Sequence, residues 1–332
     1  LRLVTPPASP TASRSASGQT TGLLLGILSF ATWGLLPLYL QTVKPTTTLE
    51  IIAWRILLSV VFCLVVVLVA RRWKVLVALV RDWRSTLWLG AASIAVFLNW
   101  TMYVLAVELG RSLEGSLGYY LNPLVSMLLG MVVLGERLRP LQWVAAGFAV
   151  LSFGTMVVAY GEPPWLSLGV AVSFALYGLI KKRVSTSADP IAGLTVETMW
   201  LAPVGGALLL VVGLTSGITM GNVGAGHTTM LLLAGAMTSV PLLLFAAATA
   251  RLTLVEVGIV QYVAPTMQFI FGITLLHEPM PAERWLGFVL VWIALVFFTI
   301  DLVRDVRRRR RAARAAGQPV IERDPTGEIN VV

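Results

Sequence analysis

The chain has 332 residues, of which 57% are hydrophobic and 12% charged, and its mean hydropathy is +0.83. A water-soluble domain carries charge on roughly a quarter of its positions, so an ordinary soluble globule is excluded. The formal net charge of +9 does not indicate nucleic acid, because the cations sit between apolar runs rather than on a folded face. One cysteine, Cys63, and two histidines, His227 and His277, are too few for a disulfide framework or a Cys/His metal cluster, and no cofactor is expected.

The first 21 residues (1–21) are rich in Ser, Thr, Ala and Pro and read as a disordered leader. A spanning helix needs about 20 mostly apolar residues to cross about 30 Å of hydrocarbon. Ten such segments follow, at 22–40, 49–70, 86–107, 115–134, 141–160, 165–183, 194–213, 229–250, 257–276 and 285–303. The first is expected to stay in the protein rather than be cleaved as a signal peptide. Its apolar run is long, contains Trp33 and Pro37, and is not followed by a small-residue cleavage site. Between the second and third segments, Arg71, Arg72, Trp73, Lys74, Arg81, Trp83 and Arg84 alternate with aliphatics, the pattern of a short helix lying along an interface. The remaining connections are short, so function must reside within the helices.

With the amino end placed inside, only Lys44, Arg111 and Arg284 of the 25 Lys and Arg fall in outer loops, and Arg55 lies within a span. The excess of cations on the other side puts both termini in the cytoplasm, in a multi-pass protein of the cytoplasmic membrane. The tail, 304–332, carries Arg307 to Arg311 in one block, which suits anionic lipid as a partner rather than nucleic acid.

Shifting the sequence by 142 positions pairs Glu114 with Glu256, Tyr120 with Tyr262, Pro123 with Pro265, Gly130 with Gly272, Glu136 with Glu278 and Trp143 with Trp285. At a shift of 144, Ser29, Phe30, Trp33 and Gly34 face Ser173, Phe174, Tyr177 and Gly178. The chain is therefore two copies of five helices, 22–160 and 165–303. Five is odd, so the second copy enters the membrane from the opposite side. The expected fold is an all-α integral membrane protein of ten transmembrane helices in two inverted five-helix repeats. Two similar halves can pack in two ways of comparable energy, which suits alternating access by a transporter.

Charges inside spans mark a partner or a wet cavity. Arg55 is the clearest, read as an anion or carboxylate contact or a gate through a salt bridge, against the alternative of a structural tie to neighbouring carbonyls. Glu50 and Glu197, near the starts of the second and seventh spans, are candidates for proton coupling, against the alternative of favourable placement on a helix dipole. Glu114 and Glu256 read as helix-start residues, the latter with Thr253 in a capping-box pattern, and Glu136 and Glu278 as loop residues. Pro123 and Pro265 remove hydrogen bonds at equivalent positions, which places two kinks around a central cavity. Tyr119, Tyr120, Asn122, Gln261, Tyr262 and Gln268 are its candidate lining. Asn99, Trp100 and Tyr103, with Trp33 and Tyr177, add aromatic and amide groups suited to a small-molecule substrate, against the alternative that they pack helices. Gly26, Gly34, Gly118, Gly130, Gly178 and Gly272 are expected to permit close helix approach.

The run EGSLGYYLNPL from Glu114 to Leu124, with Asn99, Trp100 and Tyr103 before it and Gly135, Glu136, Arg137, Leu138 and Gln142-Trp143 after it, resembles the RarD branch of the EamA group. That group is part of the drug/metabolite transporter superfamily. The Trp54-Arg55 pair resembles an arginine position common in EamA repeats. The resemblance covers all ten spans and implies paired repeats around a central pathway for small metabolites or drugs, with export the expected direction. The second copy departs from the first in having Ala264 opposite Asn122 and Pro279 opposite Arg137, so a role of Asn122 need not be mirrored. The sequence holds no HExxH, GxSxG or GxxxxGK[ST] motif, and catalysis is not expected. A passive channel or a non-transporting receptor is the alternative; the sequence leaves the substrate and the oligomeric state open.

Overall fold

A computed structural model describes residues 16–134, 138–184, 189–249, 251–252, 254–315, 321–323 and 329–331. The first apolar stretch forms α1 (Ala16–Gly34) and α2 (Leu36–Thr42), bent by 41° at Leu35, with Pro37 seated in the first turn of α2. Proline is tolerated there because a first-turn N–H has no intrahelical partner. Next come α3 (Thr48–Val69), α4 (Trp73–Arg81), α5 (Trp83–Glu108), α6 (Ser112–Leu134) and α7 (Pro140–Tyr160). The second half holds α8 (Trp165–Val184), α9 (Pro190–Thr215), α10 (Ala225–Leu232), α11 (Ala234–Thr249), α12 (Leu254–Val260), α13 (Val263–Thr274) and α14 (Ala282–Ala315). Among the described residues eight stretches are long and apolar enough to cross a membrane, and the bent α1–α2 pair makes a ninth. The shorter apolar helix α8 stands where the sixth span is expected.

Several expected boundaries move. Residues 16–21, read as part of a disordered leader, belong to α1. The tail expected from 304 continues α14 to Ala315, because an Ala/Arg-rich run has high helix propensity once an existing helix nucleates it. Beyond it, β1 (Ile321–Arg323) and β2 (Ile329–Val331) form an antiparallel pair with Ile321 opposite Val331, a small exception to the all-α class. The eighth and ninth spans are each divided, at Leu233 and at Gln261–Tyr262. The two expected proline kinks differ accordingly: α6 runs through Pro123 unbroken, whereas its counterpart breaks just before Pro265. Glu136, Arg137 and Thr253 lie outside the described residues.

Helix α4 buries Leu76 and Leu79, three residues apart on one face, and leaves Trp73 and Val80 exposed, as an interfacial helix requires. Around the bundle α3 packs on α9, α6 on α13, and α7 on α14, each a helix against its own repeat-mate. The largest of the remaining contacts come in exchanged pairs: α5 with α8 answers α11 with α1, α6 with α8 answers α13 with α1, and α11 with α3 answers α5 with α9. Swapping the halves maps these main contacts onto one another, the signature of a two-fold relation between repeats.

Glycine sets two of these contacts. A Cβ on Gly118 would lie 2.6 Å from the Ser167 carbonyl oxygen of α8, and one on Gly235 would lie 2.5 Å from the Leu58 carbonyl group of α3. Gly178, expected at a close contact, faces open space instead, with nothing within 4 Å. Gly235→Ala is expected to destabilise the protein by about 1–3 kcal/mol through overpacking, while Gly178→Ala leaves stability unchanged or raises it slightly. Melting curves of the two purified variants check this, and equal shifts would refute the close approach.

Candidate functional site

Side chains from both halves line one cavity within the bundle. From the first half, α1 contributes Phe30 and Trp33, α2 Leu36, α3 Arg55, α5 Val96, Asn99 and Trp100, and α6 Tyr119 and Asn122. The second half contributes Phe174 from α8, Leu242 from α11, Gln261 between α12 and α13, and Ala264, Pro265 and Gln268 from α13. The lining contains no Asp or Glu among the described residues. Among the described residues that line it, Arg55 is the only charged one.

Arg55 is buried, only 2% exposed. Its Nε donates to Thr238 Oγ1 at 3.1 Å, and Thr238 in turn donates to the Ala234 carbonyl at 2.8 Å. Its Cζ lies 5.0 Å from the centroid of the Trp100 ring, within cation–π range. Nη1 has no hydrogen-bond partner among the described residues. A buried charge left without a counter-charge costs on the order of several kcal/mol, which a ring face only partly offsets.

The other polar groups of the cavity are positioned from across the bundle. Asn99 donates from Nδ2 to the Val170 carbonyl at 3.0 Å and accepts the Tyr119 hydroxyl at 3.0 Å, so it orients Tyr119. Gln268 donates to the Trp33 carbonyl at 3.0 Å, and its buried Oε1 is unpaired. Trp33 is held at an angle by Phe30, with ring centroids 5.3 Å apart, and Phe174 meets Tyr119 edge-on at 5.9 Å.

Four residues expected in the lining stand elsewhere. In α6, Tyr119 and Asn122 are three apart and share a face, whereas Tyr120 points about 100° away. Tyr120 packs against Phe288 and Trp292 of α14 and stacks with Tyr262 at 6.4 Å, its hydroxyl bonded to Thr266 Oγ1 at 2.8 Å. Tyr262 follows it outward, against Leu295 and Thr299. Tyr103 is fully buried behind Tyr119, at 5.4 Å between rings. Tyr177 lines a smaller neighbouring cavity with Glu197, Thr198, Leu194 and Leu201, which shares Val96, Trp100 and Leu242 with the central one. There Glu197 accepts from Tyr177 Oη at 3.2 Å and from Lys181 Nζ at 2.5 Å.

Glu50 does not face the cavity. It accepts from the Thr219 amide at 2.8 Å, the Thr219 hydroxyl at 3.0 Å and the Met220 amide at 3.1 Å, and also from Trp54 Nε1 at 3.2 Å, so it anchors the connection before α10. Two further carboxylates do the same at neighbouring connections. Glu114, expected to favour its own helix start, instead accepts from the Leu166 amide of α8 at 3.0 Å and pairs with Arg111 at 2.7 Å. Glu278, expected to be an unremarkable loop residue, accepts from the Ser112 and Leu113 amides at 2.6 and 3.0 Å and from the Ser112 hydroxyl. At the opposite end, Arg139 holds Asp301 at 3.1 Å and Asp305 at 3.0 Å on α14. Thr238, Lys181 and Arg139 carried no signal in the sequence, because their partners are distant in the chain.

Two regions of the chain, residues 20–158 and 164–300, match the model of the EamA-like transporter family. The chain belongs to that family, in its RarD branch. It is 39% identical to "Protein RarD" of Streptomyces exfoliatus, covering 93% of this chain and 97% of that protein. It is 41% identical to the "Uncharacterized transporter YojE" of Bacillus subtilis (strain 168), covering 85% and 95%. A solved crystal structure shares the fold, with a TM-score of 0.55 at 18% identity over 86% of this chain and 99% of that one. The protein is a multi-pass membrane transporter.

Burial raises the Glu278 carboxyl above the usual glutamate range, and the hydrogen bonds from Ser112 and Leu113 offset this only in part. Because the folded pKa is the higher one, its contribution to stability is present at low pH and lost as pH rises through that pKa. Melting wild type and Glu278→Gln between about pH 4 and pH 7 is expected to show the wild type's relative stability falling toward neutral pH. A relative stability that rises with pH would refute the assignment.

Proposed function

We propose that the protein is a secondary transporter that exports a small organic solute across the cytoplasmic membrane by alternating access through the central cavity. Both termini lie on the cytoplasmic side in this reading, and ten helices span the bilayer. The observation that carries it is a cavity walled by both halves of a two-fold bundle, holding one buried and incompletely paired cation. A site built at the seam of two repeats changes its access whenever the repeats rock against each other. The two connections held by Glu50 and Glu278 join the halves on one side, while Arg139 joins them on the other, so each face has ties that close it.

Proton coupling is assigned to Glu197 rather than Glu50. Glu50 is saturated by amides and hydroxyls, whereas Glu197 sits beside the central cavity with Lys181 as its countercharge. A proton on Glu197 releases Lys181, and this couples protonation to the packing of α8 on α9.

Counterflow and pH-gradient-driven accumulation in proteoliposomes test the proposal. Arg55→Ala is expected to lower counterflow at least about tenfold, while Glu197→Gln abolishes accumulation driven by a pH gradient and leaves counterflow. Reporter fusions at both ends check that the variants insert. Wild-type transport in both variants overturns the site, and flux that never saturates with solute makes the protein a channel.

A further inference from the structure

Building on the transport reading, we infer that the solute is an organic carboxylate with an aromatic or apolar body and no compensating positive charge. Zwitterions, cations and inorganic anions are thereby excluded as the preferred class.

The argument starts from the incomplete pairing of Arg55. A guanidinium offers five donors in a rigid fork that matches a carboxylate. Thr238 takes the Nε proton, and Trp100 covers one face. Buried Nη1 is left without a hydrogen-bond partner among the described residues, and Arg55 is one of the residues that line the cavity. A purely structural tie to neighbouring carbonyls would have used that nitrogen.

The surrounding charge points the same way. The ionisable groups that act on Arg55 are the phenols of Tyr39, Tyr103 and Tyr119, none of them an anion at neutral pH. The buried carboxylates among the described residues are committed elsewhere: Glu50 to Thr219 and Met220, Glu114 to Arg111, Glu197 to Lys181, Glu278 to Ser112 and Leu113, and Asp301 to Arg139. A solute carboxylate therefore supplies the countercharge that the protein omits. An ammonium on the same solute would meet no carboxylate in the lining and would be repelled by Arg55, which disfavours zwitterions and cations.

The rest of the wall selects a body. Phe30, Trp33, Trp100 and Phe174 present ring faces and edges that gain nothing from a small hydrated ion but bury a planar or aliphatic group. The free Oε1 of Gln268 accepts a hydrogen bond and so adds a place for a hydroxyl or N–H on that body.

The test uses the purified full chain and a panel of benzoate, phenylacetate, cinnamate, indole-3-acetate and hexanoate. Each acid is set against its neutral amide, phenylacetate also against phenylalanine, and sodium sulfate alone serves as the inorganic control. Apparent affinities are read from thermal stabilisation at neutral pH. At least one acid is expected to bind about tenfold or more tightly than its amide, with phenylalanine weaker than phenylacetate and sulfate without effect. Arg55→Gln brings the acid-to-amide ratio near one, and Arg55→Lys restores part of it. The inference is overturned if no acid outbinds its amide, if sulfate stabilises as well as the acids, or if Arg55→Gln keeps the preference. The wild-type comparison needs no variant to fold. Acid-selective binding without counterflow keeps the solute class and sinks the transport reading. Equal counterflow of acids and amides does the reverse.

Discussion

In a hydrocarbon environment a polar side chain that reaches out from one helix must find its partner on another, because water is not there to take the bond. In this bundle six such partners lie in the opposite half. Ser29 donates to the Pro241 carbonyl, Tyr39 to Met230, Asn99 to Val170, Ser116 to Pro265, Ser152 to Gly287, and Gln268 to Trp33. Each of these bonds joins residues from different repeats. Neither half is thus satisfied alone, and the space between them is fixed by hydrogen bonds as well as by apolar packing. The position of the cavity follows from this constraint, since it is the part of the seam where such pairing is left incomplete.

The same constraint explains why one cation stands out. Four buried glutamates are each tied to amides, hydroxyls or a cation, so their charges serve the architecture. Arg55 has one hydroxyl and one ring. In a low-dielectric interior a charge is retained only where something offsets its burial, and here the protein offers only part of that. Separation of roles is thus visible in the partners: the glutamates hold connections, and Arg55 lines the cavity.

Much of the architecture was legible in the sequence because bilayer thickness imposes a length on every span and duplication leaves matched rare residues. Helix α4 is legible from mixed cations and tryptophans, Arg55 from its charge within a span, and Tyr119, Asn122, Gln261 and Gln268 from their nearness to the paired prolines. Other features escaped for physical reasons. Adjacent Tyr119 and Tyr120 look alike in a sequence, but one step along a helix turns the second toward α14. The ties of Glu50 to Thr219 and of Arg55 to Thr238 join residues far apart in the chain, and hydropathy carries no trace of them. Symmetry also misled at the prolines. Both copies have one at the same place, yet only the second breaks, since a lost helical bond can be absorbed in more than one way.

The length of α14 has a mechanical consequence. From Asp301, held by Arg139, the helix runs 14 residues further to Ala315, about 21 Å at 1.5 Å per residue. The arginine block is thereby mounted on a stiff rod instead of a loose thread. Any tilt of α7 and α14 swings the far arginines through a wide arc, which makes the rod's outer end a natural pointer of the angle between the repeats.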